Sequence, residues 1–130
     1  MIAEKRKKVL IVDDEEVIVM VLKRYVSMAG YDFVVAMNGR EALERVAEEP
    51  PDAVLLDLMM PEMNGFEVCR RLRANAATAR IPVIVLTALR SEADSEEARN
   101  SGATEFVVKP VTGAELIKRL QFRLGSPFKA

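Results

Sequence analysis

Short, unbroken apolar runs recur along this chain, and each ends in a polar residue. Val9-Leu10-Ile11-Val12 leads into Asp13 and Asp14, Val83-Ile84-Val85-Leu86 into Thr87, and Phe106-Val107-Val108 into Lys109. The sharpest case is Val54-Leu55-Leu56-Asp57-Leu58-Met59-Met60-Pro61, where a carboxylate interrupts what otherwise reads as a buried strand. Runs this short and this apolar suit parallel strands covered on both faces. A buried carboxylate without a partner is costly. It must be protonated, paired with a cation, or set where the strand emerges into a polar site. The other runs favour the last two.

Between the runs lie helical patterns. The first spans about 15–29, with Ile18, Val21, Leu22 and Tyr25 as its buried stripe and Gly30 past its end. The acids Asp13-Asp14-Glu15-Glu16 suit a helix start, and Asp14 alone is as readily an N-cap as a site residue. After a strand at 32–36, Asn38-Gly39-Arg40-Glu41 has capping form and opens a helix burying Ala42, Leu43, Val46 and Ala47, which Pro50-Pro51 ends. A strand at 53–58 carries Asp57. Asn64-Gly65-Phe66-Glu67 then opens a third helix to about Ala74, with Phe66, Cys69 and Leu72 or Val68 inward. A strand at 82–86 precedes a helix at 91–101 stopped by Gly102. That helix carries Glu92, Asp94, Glu96, Glu97, Arg99 and Asn100, leaving only Ala93 and Ala98 to bury. It gains little from packing and is expected to be the least firmly held. A strand at 104–108 is followed by a capping box at Thr112-Gly113-Ala114-Glu115 and a helix burying Leu116, Ile117, Leu120 and Leu124, stopped by Gly125 and Pro127.

Strands alternating with helices predict an α/β fold with a parallel sheet covered on both faces, and right-handed crossovers. Ligands of such sheets bind beyond the carboxyl ends of the strands, where the polar residues fall.

Composition narrows the chemistry. The chain has 130 residues, enough for one core, and a net charge of −1, which gives no reason to expect nucleic acid. It has no histidine, which excludes the usual catalytic triads and makes common zinc sites unfavourable. Its one cysteine, Cys69, reads as a small buried apolar residue and allows no intrachain disulfide. No apolar run approaches the roughly 20 residues of a membrane span. The basic run Lys5-Arg6-Lys7-Lys8 reads as a solvated terminus, and the protein as cytoplasmic.

Asp13, Asp14 and Asp57 are expected to converge. Three carboxylates repel one another unless a cation sits among them, and hard oxygen donors on an open site suit Mg²⁺. Lys109 adds a mobile positive charge and Thr87 a hydroxyl. Together they make a place for a phosphoryl group on a carboxylate, a known nucleophile in phosphoryl transfer. Such transfer needs positioning and charge neutralisation more than a histidine base. Asp57 is the best nucleophile candidate, because no capping role explains it.

Ile11-Val12-Asp13-Asp14-Glu15, Leu56-Asp57-Leu58-Met59-Met60-Pro61-Glu62-Met63-Asn64-Gly65, Thr87-Ala88 and Phe106-Val107-Val108-Lys109-Pro110 resemble, in order and spacing, the receiver domain of bacterial two-component response regulators. The resemblance covers about residues 8–124, so the chain 1–130 is expected to be a single receiver domain. It implies a flavodoxin-like sheet of order 2-1-3-4-5 and phosphorylation of Asp57 by a sensor histidine kinase or phosphotransfer protein. It implies Mg²⁺ on Asp14, Asp57 and the Met59 backbone carbonyl, with Asp13 acting through water. Lys109 would pair with the phosphoryl group, Thr87 would hydrogen-bond to it, and Phe106 would be the switch aromatic that turns inward as Thr87 moves, with the small Ala88 leaving it room. Lys109-Pro110 resembles the family's cis peptide. Asn64 stands where aspartate is commoner. Met59 and Leu89 occupy positions that tune self-dephosphorylation in the family, and both are apolar here.

The leading reading is a phosphorylation-controlled switch, itself not an enzyme, that changes its helix 4–strand 5–helix 5 surface to control a separate protein target or an output domain missing from this chain. A phosphorylation-dependent homodimer is a further expectation; direct contact with nucleic acid or membrane is not. A Mg²⁺-dependent phosphatase with an aspartate nucleophile usually needs a second acid two residues on, where Met59 stands. An adaptor that keeps only the fold has no positive support, since the whole residue set is present.

Overall fold

The computed structural model describes residues 6–126. Lys5 of the basic run and Pro127 lie outside the described residues. Five strands alternate with five helices: β1 Lys8–Val12, α1 Glu16–Met28, β2 Asp32–Ala36, α2 Gly39–Glu48, β3 Ala53–Leu56, α3 Gly65–Ala74, β4 Val83–Thr87, α4 Glu92–Ser101, β5 Glu105–Val108 and α5 Gly113–Leu124. The strands form one parallel sheet of order β2-β1-β3-β4-β5. This is the expected flavodoxin-like order.

Side-chain alternation along the strands divides the core in two. Leu10, Val12, Val54, Leu56, Val83 and Val85 point to the face covered by α2, α3 and α4. Their sequence neighbours Val9, Ile11, Leu55, Ile84 and Leu86 point to the face covered by α1 and α5. The central strands are apolar on both faces because both faces are covered.

Local chemistry sets the helix ends. Asn38, Asn64, Ser91 and Thr112 each accept the backbone N–H three residues on, and so cap α2, α3, α4 and α5. α1 differs: its N-cap residue, Glu15, makes no side-chain capping bond. Asp14 therefore does not cap α1. Gly30 and Gly102 take positive φ, at 92° and 109°, just past α1 and α4.

Several sequence expectations are corrected. β3 stops at Leu56 rather than Leu58, because the chain turns at Asp57 and doubles back to α3. The buried residues of α1 are Val19, Leu22 and Val26; Ile18 and Tyr25 are half-buried and Val21 is exposed. In α2, Leu43 is only half-buried and Ala47 is exposed, since the helix meets the sheet through Ala42 and Val46. In α4, Ala93 is exposed, and Ser101 joins Ala98 as a buried residue, because only the C-terminal half of the helix reaches the core. Ile117 of α5 is half-buried. Lys8 is not part of a free terminus: it sits in β1 and its ammonium pairs with Glu49.

Candidate functional site

Strand register brings the polar residues together. Val12 aligns with Leu56, and Leu56 with Val85, so Asp13 and Asp57 leave the sheet side by side. The Asp57 N–H donates to the Val12 carbonyl at 3.0 Å, and the Lys109 N–H donates to the Thr87 carbonyl at 2.7 Å. These bonds carry the parallel ladder one step past the strands and fix the roots of the site residues.

The chain beyond Asp57 closes on it from behind. The Gly65 N–H donates to the Leu58 carbonyl at 3.0 Å. A Cβ on Gly65 would lie 2.5 Å from the Asp57 carbonyl oxygen. Only glycine lets the start of α3 approach Asp57 so closely. In the sequence Gly65 reads as part of a helix-capping pattern and as the end of the motif that starts at Leu56, and nothing local reports this approach.

Asp13 and Asp57 are 1% and 5% exposed, whereas Asp14 is exposed. Carboxylate oxygens of the three lie within 4.8 Å of one another. Asp13 uses both oxygens: Oδ1 accepts the Glu15 N–H at 2.9 Å and Oδ2 accepts from Lys109 Nζ at 2.9 Å. Lys109 Nζ stands 3.9 Å from Asp57 Oδ2. The Met59 N–H donates to Asp57 Oδ1 at 3.3 Å, while the Met59 side chain is exposed. Burial pushes the Asp57 carboxyl up to about 6; the Lys109 charge and the Met59 N–H oppose the rise, and Asp13 and Asp14 add to it. Lys109 thus offsets only part of what burial costs the Asp57 carboxylate. The donor set, all hard oxygen and partly open, fits a small divalent cation such as Mg²⁺.

Thr87 is fully buried at the end of β4, and its Oγ1 accepts the Leu89 N–H at 3.2 Å. Phe106 pairs with Val85 across the sheet and packs, half-buried, against the α2–α3–α4 core. The Lys109-Pro110 peptide is cis. The structure therefore gathers Asp13, Asp14, Asp57 and Lys109 into one cluster and ties Thr87 to Lys109 through the backbone.

The sequence matches the response regulator receiver domain family over residues 9–121. The chain belongs to that family. It is 42% identical over 127 residues to the probable transcriptional regulator ycf27 of Guillardia theta, covering 98% of this chain and 49% of the relative. It is 40% identical over 114 residues to the response regulator MprA of Mycolicibacterium vanbaalenii, covering 88% of this chain and 48% of MprA. This receiver thus spans about half the length of these curated relatives. Among solved structures, the chemotaxis protein CheY4 of Vibrio cholerae superposes with a TM-score of 0.86 at 34% identity, covering 92% of this chain and 99% of CheY4. Receivers are signalling domains of two-component systems. Among the described residues, no helix is long and apolar enough to cross a membrane.

Two side chains outside the carboxylate cluster carry no sequence signal of their own. Arg90 Nη2 donates to the Lys109 carbonyl at 3.3 Å, joining the loops after β4 and β5. Arg73 of α3 donates to the carbonyls of Gly102, Ala79 and Ile81 and to Thr104 Oγ1, joining α3 to the loop before β4 and to the turn between α4 and β5. Their acceptors are mostly main-chain oxygens distant in sequence, so no local pattern announces them.

Proposed function

We propose that this receiver is a phosphorylation-controlled switch with Asp57 as its phosphoacceptor. The observation that carries this reading is the placement of Asp57: a buried carboxylate at a strand end, clustered with two further carboxylates and 3.9 Å from a lysine. Asp57 Oδ attacks phosphorus, and the bond from phosphorus to the donor breaks. A sensor histidine kinase or phosphotransfer protein supplies the group. The residues that would hold Mg²⁺ are Asp14, Asp57 and the Met59 carbonyl, with Asp13 acting through water; bound there, the ion neutralises charge on the transferring group. Lys109 needs only a small shift from Asp13 to meet a phosphoryl oxygen. Thr87 donates its hydroxyl hydrogen to another, and the Leu89 amide bonded to Thr87 Oγ1 moves with it. Phe106 follows as the switch aromatic. The α4–β5–α5 surface then changes and controls a separate target protein, an attached output domain or a second copy of the chain.

The outer face of α1 supports a helical donor. Val17, Met20 and Met28 are 70%, 68% and 60% exposed and recur at helical spacing on the helix that follows Asp13 and Asp14.

The test is intact mass after incubation with Mg²⁺ and acetyl phosphate, for the wild type and Asp57→Asn. One added phosphoryl group, lost to hydroxylamine and absent from the variant, is the expected result. No gain in a folded, Mg²⁺-binding protein overturns the reading. Apolar Met59 and Leu89 give an attacking water nothing to hold it, so the phospho-form is long-lived. Met59→Asn with Leu89→Glu should shorten its half-life at least several-fold, and unchanged decay would count against this explanation.

A further inference from the structure

An apolar groove of about 460 Å³ runs between α1 and the segment after β5, with Ile18, Val21, Leu22, Leu86 and Val111 among its walls. Among the described residues, Lys109 is the one charged member of a lining that is otherwise aliphatic, aromatic and proline. The side chain of this lining residue ends at the site, its ammonium 2.9 Å from Asp13 Oδ2 and 3.9 Å from Asp57 Oδ2. An anionic head drawn to Lys109 is thereby delivered to Asp57, and whatever is attached to that head can lie along apolar walls. We propose that the groove makes this receiver selective among small-molecule phosphodonors, favouring acyl phosphates whose acyl chain is apolar and longer than acetyl. The inference rests on Asp57 as phosphoacceptor and names the class of small donor that site prefers.

The charge pattern of the walls selects the class. A sugar or nucleoside phosphate would strip water from its hydroxyls against aliphatic side chains without replacing those hydrogen bonds. A hydrocarbon chain loses nothing polar and gains burial with each methylene. The chemistry balances without a proton. Asp57 Oδ bonds to phosphorus, the bond between phosphorus and the acyl oxygen breaks, and its electron pair leaves on a carboxylate that is ionised at neutral pH.

The experiment follows initial phosphorylation by intact mass, with the whole chain, Mg²⁺, and either acetyl phosphate or hexanoyl phosphate at equal low concentration. Hexanoyl phosphate should react at least roughly tenfold faster, a gain that burial of about two methylene groups supplies. Val21 is 39% exposed and tolerates a polar residue, so Val21→Asn should remove the preference and leave the acetyl phosphate rate unchanged. Val111→Asn, on the opposite wall, should do the same. Equal wild-type rates overturn the proposal and leave the groove to the side chains of a protein partner. A preference that survives both variants overturns it too, and places the selectivity at Met59 and Leu89. Failure of both donors overturns the phosphoacceptor reading itself, whereas transfer from acetyl phosphate without preference leaves that reading standing.

Discussion

Two helices flank the site from opposite faces of the sheet, and they are held in different ways. α1 begins just after Asp13 and Asp14 and buries Val19, Leu22 and Val26. Its outer face is also apolar, at Val17, Met20 and Met28. α4 begins five residues past Thr87 and buries only Ala98 and Ser101, both in its C-terminal half. Polar bonds hold that half: Arg70 Nη1 donates to Ser101 Oγ at 3.2 Å, and Arg73 Nε donates to the Gly102 carbonyl at 2.8 Å. The N-terminal half, nearest Thr87, has its Ser91 cap and the Arg90 link to the β5–α5 loop. A helix fixed by apolar burial keeps its position while a partner docks on it. A helix pinned at one end by hydrogen bonds can tilt at the other for little free energy.

The largest effect should come from breaking the burial that fixes α1. Leu22 is 4% exposed, and Leu22→Ala should cost about 3 kcal/mol in urea unfolding. Glu96→Ala, on the exposed face of α4, should stay within about 0.5 kcal/mol. If the two variants unfold alike, the contrast between the helices is wrong.

The carboxylate between the helices comes next. Asp57 rises from an ordinary 3.8 to about 6 in the folded state, chiefly through burial. The native state therefore holds this proton when the unfolded chain has released it. Stability falls as pH climbs from about 4 through about 6, and the whole penalty remains above that. At neutral pH in metal-free buffer it amounts to roughly 3 kcal/mol. Asp57→Asn removes it, so the variant should be more stable by about 2–3 kcal/mol at neutral pH and little different below pH 4. Denaturant melts at several pH values check this, and a stabilisation independent of pH would reject burial of the charge as its cause.

What the sequence made legible follows from which forces are local. Strand and helix order, the caps at Asn38, Asn64 and Thr112, and the polar strand ends all depend on near neighbours, and they could be read directly. The phase of α1 could not. Val17 to Leu22 is apolar throughout, so the period leaves more than one stripe open, and packing against the sheet and α5 selects Val19, Leu22 and Val26. β3 ends early because of a tertiary approach, Gly65 against the Asp57 backbone. The weak hold on α4 was legible in its acids. The pin at its far end was not, since Arg73 looks like any helix-surface arginine until the Gly102, Ala79 and Ile81 carbonyls converge on it.

That pin gives the next prediction. Arg73→Met keeps the stem of the side chain but leaves buried or half-buried carbonyls without their donor, at about 2 kcal/mol. The loss should be regional. Amide exchange should quicken across residues 99–104 and the loop before β4, while α1 keeps its protection. Uniform acceleration over the chain would mean that Arg73 supports the whole fold and is no pivot for α4.

The smallest effect on stability, and the most discriminating for function, belongs to the outer face of α1. Met20 is 68% exposed, so Met20→Ser should change unfolding by less than about 0.5 kcal/mol. It leaves the carboxylates and Lys109 untouched, so the rate with acetyl phosphate should hold. Transfer from a helical phosphotransfer domain that carries phosphohistidine should nevertheless fall, by roughly tenfold if Met20 is a central contact worth about 1.4 kcal/mol. Glu96→Ala on α4 should leave both donors unaffected, because a donor seated on α1 has no need of α4. If Met20→Ser slows the small donor as well, the change has reached the site, and the division of labour between the two helices fails. If it slows neither donor, α1 is rigid and apolar outside for some other purpose, and the protein donor approaches from the side of the sheet where α4 is free to yield.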